Sequence, residues 1–218
     1  MLVRDRMTRN PTTVTPETSV PDALEIMKQN GVRRLPVVKN GVLVGIVTQM
    51  DLLRASPSPA TTLAVWEIPG LVAKIKVQDV MTKTVHTIGP DEPIEDAALI
   101  MRQYKIGGVP VMQGDQLVGI ITETDIFDAF VDMLGVRQGG ARITLEIEDR
   151  VGVLAEITGL IKELGMNIVS LVTLPLEGGI AKATLRLKGT AMAQLVETLK
   201  QRGYKVLHVF PNDHSDAG

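Results

Sequence analysis

Apolar residues in the first part of the chain recur with two periods, and the same succession of periods occurs twice. Val20, Ala23, Leu24 and Met27 fall three and four apart, which is one face of a helix, and Gly31 follows as a C-cap. Two apolar runs, Leu35 to Val38 and Val42 to Val47, then flank Lys39-Asn40-Gly41. Asn-Gly between apolar runs signals a tight hairpin. The second run leads into Thr48-Gln-Met-Asp51, which opens a short helix. Val3 to Ala55 aligns without a gap on Val77 to Ala129, 74 residues later, and 20 of the 53 paired positions are identical. Ile94, Ala97, Ala98 and Met101 repeat the helical face, and Thr122-Glu-Thr-Asp125 repeats the closing motif. Each copy reads β-α-β-β-α, and a unit this small needs its partner to bury its apolar face.

Beyond Val131 the pattern changes. Gly139-Gly140 ends a linker, and Arg142 to Ile147 alternates apolar and polar like a half-buried strand. Val153, Leu154, Ile157, Leu160, Ile161 and Leu164 form one helical face closed by Gly165. Extended segments follow at Ile168 to Leu174 and Ala181 to Leu187, separated by a turn at Glu177-Gly178-Gly179. A second helix carries Met192, Leu195, Val196 and Leu199 and ends at Gly203, before a last strand from Tyr204 to Phe210. The order β-α-β-β-α-β is ferredoxin-like. The fold class is therefore mixed α/β and α+β: copies over 1–56 and 77–130, connections over 57–76 and 131–140, a third unit over 141–212 and a polar tail over 213–218. In the first connection Trp66 is expected to anchor a short packing helix.

Composition narrows the function. The 23 basic and 25 acidic residues of the 218 give a net charge of −2, and neither half has the basic excess of a nucleic-acid or anionic-membrane binder. Cys is absent, which removes disulfides, thiolate nucleophiles and Cys-ligated metals, and the three His make no metal set. No apolar run approaches the ~18 residues of a membrane span, and the N-terminus has no apolar signal region. The expectation is a cytoplasmic protein with no required cofactor and no metal.

The tandem repeat, with Gly45-Ile-Val-Thr48-x-x-Asp51 and Gly119-Ile-Ile-Thr122-x-x-Asp125, resembles the paired cystathionine-β-synthase (CBS) domains of a Bateman module. The turn Asp149-Arg-Val-Gly152-Val153-Leu154, with Asn167-Ile168 opening the next strand, resembles an ACT domain. Two CBS units and one ACT unit together are similar to the acetoin utilisation regulatory family.

Each Thr-x-x-Asp has two readings. A Thr oxygen accepting a backbone N–H, with an acid three positions on, is a capping box and needs no ligand. Alternatively the Asp carboxylate accepts ribose hydroxyls while the Thr and the helix-start amides hold an anion. The resemblance favours the second, and both can hold at once. It further implies that basic residues before the Pro-Val strand hold phosphates, here Arg33 and Arg34, where the second copy has Gly107-Gly108. It implies too that each cleft joins the Thr-x-x-Asp of one copy to the N-terminal segment of the other. The better-equipped cleft is then expected to hold Arg33, Arg34, Thr48 and Asp51 with Thr84, His86 and Ile106, leaving Thr122 and Asp125 to a plainer one. Asp51→Ala is accordingly expected to weaken nucleotide binding more than Asp125→Ala.

In the third unit Asp149, Gly152, Val153, Leu154, Asn167 and Ile168 are candidates for an amino-acid ligand. Against this, Asp149 caps the helix, Gly152 serves close packing and Asn167 makes a turn. His208 and His214 receive no role. No nucleophile triad, Walker or dinucleotide loop, or HExxH motif supports catalysis. The reading is a non-enzymatic sensor for AMP, ADP, ATP or S-adenosylmethionine, acting as a homodimer on an unidentified protein target, with no nucleic-acid or membrane partner. A ligand-free scaffold and an enzyme acting on a nucleotide are the alternatives.

Overall fold

The computed structural model describes residues 1–55 and 74–211. The first copy contains strand β1 (Thr8–Arg9), helix α1 (Val20–Asn30), strands β2 (Arg34–Lys39) and β3 (Val42–Thr48) and helix α2 (Gln49–Ala55). The second contains helices α3 (Val77–Val80) and α4 (Ile94–Tyr104), strands β4 (Gly108–Gln113) and β5 (Gln116–Thr122) and helix α5 (Glu123–Met133). Local chemistry sets the ends. The Ser19 hydroxyl accepts the Asp22 N–H at 3.2 Å to start α1, and Gly31 ends it at φ +63. Asn40 and Gly41 are both left-handed, at φ +52 and +83, as a two-residue hairpin turn requires. In the second copy Pro93 replaces Ser19, and Lys105 takes the left-handed position at φ +54. The packing helix expected around Trp66 lies outside the described residues, as does His214.

The two copies are laced through each other. Strand β1 pairs antiparallel with β5 of the second copy, Thr8 opposite Ile120, and in return Thr82 and Ile46 exchange backbone hydrogen bonds of 2.9 and 3.0 Å. Val77 of the second copy is fully buried in the first copy's core with Val20, Met27, Leu35, Val47 and Leu52. Val3 of the first copy is buried likewise, and its N–H donates to Glu92 O at 2.9 Å. Neither copy therefore closes its core alone. The repeated Gly of the Gly-Ile motif has a steric cause in this lacing: a Cβ on Gly119 would stand 2.5 Å from Met7 Sδ, and one on Gly45 at 2.5 Å from Met81 Sδ.

The chain divides into two compact units, Met1–Ile126 and the remainder from Phe127, and the division falls inside α5. In the second unit β6 (Ala141–Glu148), α6 (Val153–Glu163), β7 (Asn167–Pro175), β8 (Ile180–Lys188), α7 (Met192–Gln201) and β9 (Lys205–Phe210) follow one another. The sheet is antiparallel in the order β7-β8-β6-β9, the ferredoxin-like arrangement. Ile143, Leu145, Leu185 and Leu187 point from one face into a core with Ile157, Ile161, Leu195 and Leu199 of the helices. The alternate positions, Arg142, Thr144, Lys182, Thr184 and Arg186, lie on the other face.

Candidate functional site

The lacing makes a cleft of about 420 Å³ in the first unit. Strand β1 delivers Thr8, and the chain beyond it Asn10 and Thr12, to the end of β5 where Thr122 and Asp125 open α5. Arg33 and Arg34 line the same cleft. Asp125 Oδ2 accepts both the Thr122 N–H and the Thr122 hydroxyl, each at 2.7 Å. At the repeat-related mouth Asp51 Oδ2 accepts from Thr48 N and Thr48 Oγ1 at 2.9 and 2.6 Å, and the Asp51 N–H donates to Thr48 Oγ1 at 3.3 Å. The carboxylate half of the expected helix-start pairing is thus present at both mouths, and the return bond to the Thr oxygen is made at Thr48. The carboxylate half engages Oδ2, so Oδ1 stays outside the capping interaction.

Arg34 reaches across to the second copy. A Cβ on Gly107 would come within 2.6 Å of Arg34 Nη2, and one on Gly108 would clash with Nη1. The guanidinium therefore fills the room left by two absent side chains, beside Glu123. Burial lowers the Arg34 pKa from its ordinary value; Glu123 opposes this, Arg33 adds to it and Asp125 opposes it. A partly desolvated cation at a cleft wall is suited to hold an anion, because water screens it less.

This placement corrects the expected grouping. Arg33 and Arg34 line one cleft with Thr122 and Asp125, and neither Thr48, opposite Arg34 in the β2–β3 register, nor Asp51 lines it. Arg34 and Gly108 begin equivalent strands, opposite Thr48 and Thr122 respectively, and the lacing brings those strand ends together so that the Arg34 side chain crosses over. Thr84 and His86 lie on the segment leaving the Thr82–Ile46 bridge, the repeat equivalent of Asn10 to Thr12, and Ile106 is half-buried just after α4. There the His86 ring stacks on Tyr104 at 3.5 Å between centroids. Their repeat equivalents Thr12 and Asn30 share a 3.3 Å hydrogen bond and line the open cleft. Sequence reasoning missed Asn10, Thr12 and Asn30, although sliding Thr84, His86 and Tyr104 back by 74 positions lands on them.

In the second unit a cavity of about 310 Å³ is lined by Asp149, Gly152, Val153 and Leu154 together with Thr173 and Pro175. Within one chain Asn167 and Ile168 are not brought to it. They begin β7, whose register runs from Asn167 opposite Lys188 to Pro175 opposite Ala181, and the cavity sits at the Pro175 end. The capping expected of Asp149 is also absent: the N-cap is Gly152, without a side-chain hydrogen bond, and the Asp149 N–H donates to Gly179 O at 2.8 Å. Gly152 has no neighbour where its Cβ would be, so its φ of +91, not close packing, accounts for glycine. Nearby, Arg150 donates to both Glu156 oxygens at 2.7 Å, and the Tyr204 hydroxyl donates to Oε2 at 2.6 Å. These bonds, with the Arg150 charge, lower the Glu156 pKa to about 2. Among the described residues no cluster of three or more His, Asp or Glu is placed to hold a metal, and no helix is long and apolar enough to cross a membrane.

Comparison with known proteins decides the family. The CBS-domain family model matches residues 3–58 and 77–132, and the TTHA0829-like ACT-domain model matches 139–210. The chain belongs to the CBS-domain family, as a tandem pair followed by an ACT domain. Its CBS pair is similar to a Vibrio cholerae protein named AcuB, for acetoin utilization, at 32% identity over 63% of this chain and 96% of that one, with a TM-score of 0.52. It is similar to the CBS pair of protein MJ0100, solved in complex with 5'-methylthioadenosine and S-adenosyl-L-methionine, at 31% identity over 61% and 97%, TM-score 0.51. It is also similar to CBSX2 in complex with AMP, at 32% identity over 60% and 96%, TM-score 0.50. Among curated relatives, an uncharacterized Methanocaldococcus jannaschii protein, MJ1404, is 34% identical over 145 residues, and the inosine-5'-monophosphate dehydrogenase of Korarchaeum cryptofilum is 35% identical over 120. The chain spans only 34% and 22% of their respective lengths.

Proposed function

We propose that this protein is a non-enzymatic sensor that binds an adenine nucleotide in the cleft between its CBS domains. The observation that carries this reading is the convergence in one cleft of Asp125 and Thr122 with Arg33 and Arg34. In it Asp125 Oδ1 receives ribose hydroxyls, and the arginines hold the phosphate through planar, charge-assisted hydrogen bonds. The similar CBS pairs solved with AMP and with methylthioadenosine and S-adenosylmethionine support an adenosyl ligand; the two arginines favour a phosphate-bearing one here. The ACT domain pairs two chains, and ligand affinity that differs between two arrangements of the module shifts the equilibrium read by a protein target. The Asp149–Leu154 cavity admits an amino acid as a second effector.

The capping bonds at both mouths serve a ligand-free scaffold equally well, so the deciding experiment is isothermal titration of AMP into nucleotide-stripped protein. The expected result is saturable micromolar binding at about one site per chain, with adenosine much weaker than AMP and with Arg34→Gln abolishing the difference. Absence of heat with AMP, ADP, ATP and S-adenosylmethionine at millimolar concentration would leave the scaffold.

A further inference from the structure

We infer that the open face of the ACT sheet is a further ligand site, separate from the Asp149–Leu154 cavity, for a carboxylate carrying an apolar chain or ring. Helices α6 and α7 cover one face of the sheet. The other presents cross-strand rows, one of them Ser170, Arg186, Arg142 and Phe210, the next Val172, Thr184, Thr144 and His208. The segment that leads into β6 borders this face. Leu134 O accepts from Ser170 Oγ at 2.9 Å and from Arg186 Nε at 3.1 Å, and Gly140 O accepts from Arg186 Nη1 at 3.1 Å. With Phe130 at its rim, the segment and the sheet enclose about 730 Å³. That volume lies within the range of small-molecule sites.

Charge and apolarity together select the ligand. Arg142, Lys182 and Arg186 line the cavity, and no acidic residue does. Arg142 lies directly opposite Arg186, an arrangement that like charges disfavour unless an anion stands between or above them. Arg186 is committed to two carbonyls, and Arg142 lies over the Phe210 ring at 5.8 Å. Among the described residues neither Arg142 nor Lys182 has a carboxylate within ion-pair distance: Glu146, directly opposite Lys182, is held instead by Lys205 at 2.8 Å. The same cavity has Phe130, Val172, Leu174 and Phe210 in its wall, all exposed. A bare anion would leave those groups in water, and a neutral apolar molecule would bury unpaired cations, which is costly. An amphipathic carboxylate satisfies both.

The test is isothermal titration of octanoate, 1-octanol and octylamine into the full chain, with AMP titrated in parallel. Octanoate is expected to bind and the other two to bind at least about tenfold more weakly, the worth of one charge-assisted contact. Lys182→Gln and Arg142→Gln, both at exposed positions, each weaken octanoate about tenfold, and Leu174→Asp abolishes it, while AMP binding is unchanged. Equal binding of octanoate and octanol, or insensitivity to Lys182→Gln, overturns the site. So does failure of octanoate to bind while Leu174→Asp halves the mass in sedimentation, which would assign this face to a second copy of the chain.

Discussion

The Arg34 guanidinium occupies the space that Gly108 leaves by having no side chain, and the two residues hold equivalent positions in the two copies. A second arginine at position 108 would have to share the space that the Arg34 guanidinium fills, so the close approach leaves room for one. The asymmetry of the clefts is thus steric in origin. Gly108→Ala is compatible with the local backbone, since Gly108 is not left-handed, and its methyl group would displace the flexible end of Arg34 from the cleft wall. The expected outcome is AMP affinity lowered about tenfold, the cost of one lost charge-assisted contact, with folding stability within about 1 kcal/mol of wild type. Calorimetry and thermal melts on the same sample check both; unchanged affinity would remove Arg34 from the ligand.

Asp125 and Asp51 accept the same helix-start bonds but stand at unlike mouths. Their Ala variants should therefore lose similar stability, about 1 kcal/mol for a lost cap. They should differ in binding: Asp125→Ala abolishes measurable AMP affinity, and Asp51→Ala leaves it within about threefold, less than the worth of one hydrogen bond. Equal binding losses would contradict the assignment of the arginine-lined cleft to Asp125.

The elements and their order were legible because each depends on residues close in sequence: the 3.6-residue face of Val20, Ala23 and Met27, the Asn40-Gly41 turn, the Gly31 stop. The Thr-x-x-Asp caps were legible for the same reason. Which arginine meets which aspartate was not, because it depends on a crossing between copies that no local pattern encodes. The Gly107-Gly108 pair reads in the sequence as the absence of two arginines, yet its missing side chains leave the space that Arg34 of the other copy fills. Asn167 lies apart from the Asp149 cavity within one chain for a related reason. It neighbours the α6 region in sequence, but the direction of β7 carries the chain from Asn167 toward the Asp149 cavity, which it reaches only at Thr173 and Pro175.

Lys105 ends α4 in the left-handed conformation at φ +54, where the first copy uses Gly31 at φ +63. A Cβ disfavours this backbone, and no steric demand accompanies it at Gly31, whose would-be Cβ has open space. Lys105→Gly is expected to raise stability by roughly 0.5–1 kcal/mol, the relief of strain exceeding the added chain entropy of the unfolded state. Urea unfolding with an unchanged m-value would show it; a fall in stability would mean that the Lys105 side chain contributes packing that outweighs the strain.

The Glu156 carboxylate is held by Arg150 and Tyr204, and its pKa falls to about 2 from an ordinary 4.5. Because the folded value is depressed, the contribution of this group to the stability of the ACT domain is complete above the unfolded pKa, near 4.5. It diminishes as pH falls below that and is gone once pH has passed through about 2. Glu156 is solvent-accessible, so screening limits the size of the effect, and its shape is the informative quantity. In urea titrations between pH 6 and pH 2, Glu156→Gln should be less stable than wild type at pH 6, and the two curves should converge toward pH 2. Tyr204→Phe, which removes one of the two hydrogen-bonding partners and keeps the ring, should give an intermediate curve. Parallel curves across the range would mean that the carboxylate keeps its ordinary pKa in the folded protein and that the Arg150 contact carries no net stabilisation.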